Sequence, residues 1–369
     1  MTLKIVNANN ETEEVLENVE FKNENNTRYF KVSNNKGIEI KFQYLPSHIS
    51  NWDSNVCEIY LLENPYLDAE NDVFEVYENT IAERIGWIFP ITILESNEND
   101  YQEYKNLNDY KYVAYEKLLQ LEFKISLKEN HNTLYRLSDY FSNAIICILH
   151  KKTIGKIKDF KFSNYLLSLY KYGYLLLRKT PKAESISDRN DFVNEMRSTN
   201  RSRINLTKSK FDITSNSFIK SLFMEHLLQS ENSLIRFIFL YQIIEYCMSL
   251  EFDIQFESSL EEYKNGKLAK NDLREKITVL SRERELIRII FEQTKIPSGL
   301  KTDYKTAVDC LFREVGRDQI SNSFSDNIYN TRNLLTHNLR DLITQTDAIK
   351  EITGIFEQII VEFLINYQK

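Results

Sequence analysis

Asp347-Ala-Ile-Lys-Glu-Ile-Thr-Gly-Ile-Phe-Glu-Gln-Ile-Ile-Val-Glu-Phe-Leu-Ile-Asn-Tyr367 closes the chain with a clear helical signature. Apolar residues return at Ile349, Ile352, Phe356, Ile359 or Ile360 and Phe363, a stripe with the 3.6-residue period of a helix buried on one side. Thr346 or Asp347 offers the N-cap. Reading backwards, the same logic predicts helices at 217–230, 232–250, 271–293, 303–315 and 322–337, the fourth capped by Asp303. The short connections between them imply an antiparallel bundle.

The first part of the chain changes period. Ile38-Glu-Ile-Lys-Phe-Gln-Tyr44 alternates apolar and polar residues, as a half-buried strand does. Asn34-Asn-Lys-Gly37 separates it from Arg28-Tyr-Phe-Lys-Val32, which predicts a hairpin. Val56–Leu62, Val73–Tyr77, Gly86–Leu94 and Leu121–Leu127 are further strand candidates, pointing to an antiparallel sheet or small barrel. The expected fold class is α+β: an antiparallel β-rich domain over 1–130, a helical, basic connecting region and linker over 131–214, and a helical bundle over 215–369.

Eight glycines and five prolines in 369 residues leave little room for Gly-rich phosphate loops, and neither GxGxxG nor a Walker loop occurs. The longest apolar run, Ala144–Leu149, is far too short to span a bilayer. The N-terminus turns acidic where a secretory signal would be apolar. Cys57, Cys147, Cys247 and Cys310 are scattered and form no CxxC pair, so they read as reduced thiols of a cytoplasmic protein.

The formal net charge of -7 argues against general coating of nucleic acid, so any RNA contact must be focal. One stretch is basic: between Ile146 and Lys182 nine Lys or Arg face a single acid, Asp159. Tyr165, Tyr170, Tyr172 and Tyr174 are interleaved with them. This reads either as a surface that stacks bases and meets phosphates, or as an amphipathic helix pair with solvated lysines over a tyrosine core. Lys151, Lys152, Arg197, Arg201 and Arg203 are the candidate RNA contacts.

Catalytic motifs are few. His48, His131, His150, His226 and His337 show no metal-ligand spacing, and GxSxG is absent. One cluster remains, Tyr329-Asn-Thr-Arg-Asn-Leu-Leu-Thr-His-Asn338. On a helix, Asp326, Asn330, Asn333 and His337 form a polar stripe, with Phe324, Ile328 and Leu335 on the opposite face. Helix 232–250 is apolar on nearly all sides, so Glu245 is expected where a carboxylate needs a partner. It is either a site acid holding an Arg or His, or half of a buried ion pair.

Arg332-Asn-Leu-Leu-Thr-His337 resembles the Arg-Asn-x-x-x-His signature of HEPN domains, and Arg236–Tyr246 resembles the glutamate-bearing helix of the Apea-like branch found in phage-defence and toxin proteins. The resemblance covers about 215–369. It implies a metal-independent endoribonuclease without cofactor, acting as a homodimer on RNA in an anti-phage (abortive infection) or toxin system. Arg332 would clamp the phosphate, His337 would move the proton, Asn333 would orient and Glu245 would hold Arg332. The β-rich part would then sense a phage-derived or small-molecule trigger, with no membrane involved. Leu339 stands where HEPN targets of nucleotidyltransferases carry a Tyr, which argues against that subclass.

The alternative is a non-catalytic HEPN-type RNA-binding or dimerisation module with a ligand-sensing β domain. One geometric difficulty accompanies the enzyme reading. Residues five apart on a straight helix point about 140° apart, so Arg332 and His337 converge only if the helix ends at His337, as Asn338 permits, or if two protomers share the site.

Overall fold

The computed structural model describes residues 3–6, 13–16, 18–64, 73–96, 104–121, 124–126, 134–141, 144–177, 203–227, 230, 232–317, 323–342 and 345–368. They fall into two units. The described parts of 1–160, 172–177 and 203–206 make a β-rich unit, and those of 161–171 and 207–368 a helical one. N-terminal sheets and C-terminal helices are thus the architecture.

In the β-rich unit the order is β1 (Leu3–Val6), β2 (Glu13–Leu16), β3 (Asn18–Glu24), β4 (Thr27–Ser33), β5 (Glu39–Gln43), β6 (Cys57–Glu63), β7 (Phe74–Glu78) and β8 (Ile81–Pro90). Then come α1 (Leu107–Leu119), β9 (Lys124–Ser126), β10 (Leu134–Tyr135), β11 (Ile145–His150), α2 (Lys151–Ile154), β12 (Leu175–Leu176) and β13 (Arg203–Leu206). Among the described residues they form three open sheets, ordered β2-β1-β9, β10-β5-β4-β3 and β12-β6-β11-β8-β7-β13. The expected hairpin is present as β4 and β5, with Phe30 opposite Phe42 and Val32 opposite Ile40. A purely antiparallel sheet or a small barrel is not what forms, because β1–β9, β5–β10 and β7–β13 pair in parallel.

Two elements depart further from expectation. The run Ile145–Leu149 is a strand between β6 and β8, buried along its length, rather than part of a helix pair. A strand covered on both faces shows no alternation, which removes the signal that separates it from a buried helix. Its neighbour β8 comes so close that a Cβ on Gly86 would lie 1.9 Å from the Ile148 carbonyl oxygen. Helix α1 is the second. Its Val113, Ala114, Tyr115 and Leu118 share one core with Phe30 and Phe42 and with Trp87, Phe89 and Ile148. Tyr115 stacks on Phe30 at 5.0 Å and donates to the Gln43 carbonyl at 2.6 Å.

The helical unit contains α3 (Leu166–Lys171), α4 (Ser217–Ser221), α5 (Ser233–Lys264), α6 (Lys270–Leu280), α7 (Glu283–Glu292), α8 (Ser298–Glu314), α9 (Phe324–His337) and α10 (Thr346–Asn366). The predicted helix 271–293 breaks after Leu280, and 232–250 runs on to Lys264. Helix α8 starts at Ser298 behind Pro297, so Asp303 lies inside it and caps nothing. Thr346 is the first residue of α10, and Gln345 occupies its N-cap. Asn232 caps α5, its side chain accepting from the Leu234 and Ile235 amides.

The predicted stripe of α10 is the core of this unit, with Ile352, Phe356, Ile359, Ile360 and Phe363 fully buried. Phe356 stacks on Phe237 of α5 at 4.6 Å. Helix α5 is long and apolar enough to cross a membrane by length and composition, but Phe237, Leu240, Ile243, Ile244 and Cys247 are buried inside the unit. Beside them lies an ion pair closed to solvent. Arg236 Nε donates to Glu357 Oε2 at 2.7 Å, its Nη2 reaches Oε1, and its Nη1 reaches the Leu227 carbonyl. Tyr170 of α3 also donates to Glu357. Three helices are pinned to each other by this one carboxylate.

Candidate active site

Burial of Ile328, Thr331, Leu334 and Leu335 turns the other side of α9 outward, and that side carries Arg332, Asn333 and His337. The helix ends at His337. The Asn338 amide still bonds the Leu334 carbonyl at 3.1 Å, but its backbone (φ -126°, ψ 42°) leaves the helical region.

At this end the guanidinium of Arg332 reaches along the helix. Its Nη1 donates to Asn333 Oδ1 at 3.1 Å and lies 3.5 Å from His337 Nε2. The divergence expected from a 140° separation therefore does not occur, and a single protomer brings the two groups together. Arginine can only donate, so the contact to His337 is a hydrogen bond only with a neutral imidazole whose proton sits on Nδ1.

The rest of the guanidinium is surrounded by α5 and α7. Its carbon lies 5.6 Å over the ring of Tyr241. Nη2 is 3.6 Å from Glu245 Oε1, and Nε is 3.8 Å from Glu283 Oε1. Those two distances are ionic contacts longer than hydrogen bonds. Among the described residues, the Nε and Nη2 edge of Arg332 is thus oriented by charge without being saturated. The hydroxyl of buried Tyr241 donates to Glu283 at 2.6 Å. Burial, followed by that bond to Glu283, pushes the Tyr241 phenol far above its ordinary value, so it stays protonated.

Several expected residues are placed differently. Glu245 is not buried: its side chain is 46% exposed, at the rim of the site. The buried carboxylate paired with Arg236 is Glu357. Asp326 is taken by Arg284 and stands apart from the Arg332–His337 pair. Lys151 and Lys152 are exposed on the short α2 of the β-rich unit. Arg203 lies on edge strand β13, its guanidinium 4.8 Å over the Tyr77 ring and 3.5 Å from Glu75. Arg197 and Arg201 lie outside the described residues. Tyr165, Tyr170 and Tyr174 are buried and serve the core rather than a stacking surface.

Tyr241 and Glu283 are the site residues that the sequence did not single out for this role. Tyr241 precedes Glu245 by one helical turn, which was a usable signal. Glu283 was hidden by the continuous reading of 271–293, which put it mid-helix instead of at the start of α7. Among the described residues no three His, Cys, Asp or Glu side chains gather as a metal cluster. Comparison with known protein families, curated proteins and solved structures finds no match for the chain.

Proposed function

We propose that the chain is a metal-independent HEPN-type endoribonuclease of an anti-phage defence (abortive infection) or toxin system. The observation that carries this reading is the convergence of Arg332, Asn333 and His337 at an accessible helix end. RNA supplies its own nucleophile. The 2′-oxygen attacks the adjacent phosphorus as its proton leaves, the P–O5′ bond breaks, and the 5′-oxygen takes a proton. The products are a 2′,3′-cyclic phosphate and a 5′-hydroxyl.

In this scheme the imidazole of His337 carries one of the two protons, taking it on a ring nitrogen or giving it up from one. The unsaturated edge of Arg332 binds the phosphoryl oxygens in the planar, two-pronged manner of a guanidinium. Asn333 fixes its Nη1 end. A homodimer, as expected of such enzymes, is part of the same reading. The β-rich unit is assigned the sensing or targeting role.

The test is expression of wild type, Arg332→Ala and His337→Ala with RNA integrity as the readout, and EDTA in a parallel cleavage assay. The reading expects cleavage by wild type alone and no effect of EDTA. Equal RNA integrity in all three proteins under activating conditions refutes it, and loss of cleavage in EDTA moves the chemistry to a metal.

A further inference from the structure

We infer that Tyr241 and Glu283 are positioning residues that hold the guanidinium of Arg332 in register with His337. This deepens the proposed function and rests on Arg332 and His337 being the reacting pair. Arg332 projects from α9, whose own residues Asn333 and His337 meet only its Nη1, while the contacts to its Nε and Nη2 edge and to its face come from two other helices among the described residues. The Tyr241 ring lies beneath that plane at 5.6 Å, and a cation over an aromatic face is attracted to it. Glu283 meets the Nε edge at 3.8 Å.

Glu283 would swing freely at the start of α7 if nothing held it. The 2.6 Å bond from the Tyr241 hydroxyl does hold it, and Tyr241 is itself locked in the core with only 3% of its surface exposed. The chain of command runs from a buried ring to a carboxylate to the guanidinium. Glu245 differs in being exposed at the rim with no hydrogen bond to fix it among those described. It supplies charge, whereas Glu283 supplies direction.

The length of the Arg332–Glu283 contact matters. A short bidentate pair would occupy the fork that a phosphate needs, while a contact near 3.8 Å aligns the group and leaves its N–H bonds for the substrate. Neither Tyr241 nor Glu283 touches the reacting atoms in this arrangement, so their removal misaligns the site rather than deleting a proton carrier.

The experiment uses the full chain and compares wild type with Glu283→Gln, Tyr241→Phe and the combined variant. Two quantities are read: RNA cleavage, and the NMR signal of the Arg332 Nε–H in the absence of RNA. Glu283→Gln is expected to lower kcat about tenfold and Tyr241→Phe a few-fold, with KM nearly constant, because alignment and not ground-state binding is lost.

The combined variant should be no slower than Glu283→Gln, since Tyr241 acts through Glu283. The Nε–H signal should move in all three variants, while thermal unfolding shows each still folded. Effects that multiply in the combined variant, or an Nε–H signal unmoved by Glu283→Gln, overturn the inference. Failure of the ribonuclease reading looks different: wild type then leaves RNA as intact as Arg332→Ala does, and the Nε–H signal alone decides whether Glu283 holds the guanidinium.

Discussion

The helical unit contains two arginines with carboxylate partners, and they are built in opposite ways. Arg236 is closed off, with Nε, Nη1 and Nη2 all engaged by Glu357 and the Leu227 carbonyl and both side chains less than a tenth exposed. Arg332 is flanked by two carboxylates, neither within hydrogen-bond distance, and remains open at one edge. A saturated, buried guanidinium has no capacity left for a ligand. An aligned but unsaturated one does, so two arginines of the same unit differ in their capacity for a ligand although the residue type is the same.

The contrast can be broken by deleting one partner on each side. Glu357→Ala should produce the largest effect on stability, about 3–5 kcal/mol, because it strands a buried charge. Denaturant unfolding measures it, and a loss below about 1 kcal/mol would show that Arg236 is not sealed as described. Arg332→Ala should leave the fold within about 1 kcal/mol of wild type yet lower RNA cleavage about 10²–10³-fold, the usual consequence of losing one donor to a developing oxyanion. A variant that lost stability and kept activity would reverse the two roles.

Smaller changes sharpen the same comparison. Tyr170→Phe removes one hydrogen bond to the buried Glu357 carboxylate and should cost about 1.5–3 kcal/mol, whereas Glu245→Gln at the exposed rim should change stability by less than about 1 kcal/mol. Equal losses in the two would erase the distinction between sealed and open carboxylates. The last effect appears only in alkali. The folded state raises the Tyr241 phenol above its ordinary value through burial and Glu283, so its contribution to stability is complete below about pH 10 and is lost as pH rises further. Tyrosinate absorbance should therefore show Tyr241 ionising together with unfolding, and a Tyr241→Phe variant should lose that part of the alkaline dependence.

Amphipathic elements were legible and fully buried ones were not. Helix α10 was read from its stripe, and the β4–β5 hairpin from alternation and its Asn-Asn-Lys-Gly turn, because one side of each faces the core and the other does not. Helix α1 escaped since Leu107, Tyr110 to Tyr115, Leu118 and Leu119 bury it nearly all round. Strand β11 escaped for the same reason. Glu245 was misplaced by a related argument: apolar neighbours such as Ile235 suggested burial, but Ile235 is itself 46% exposed. At the candidate site, the clustering of Arg332, Asn333 and His337 was legible because the three are local in sequence. Glu283 was not, because its approach to Arg332 depends on how α5, α7 and α9 pack.

The chain passes between the two units more than once. Strands β12 and β13, the edges of the six-stranded sheet, are encoded after α3 of the helical unit. A ribosome must therefore deliver everything up to Leu206 before that sheet can close, while Tyr170, already released, waits for Glu357 to emerge near the end of synthesis. Genetic dissection inherits the same constraint: a cut at 160 removes both sheet margins, and a start at 207 discards a tyrosine that the Arg236 pair uses.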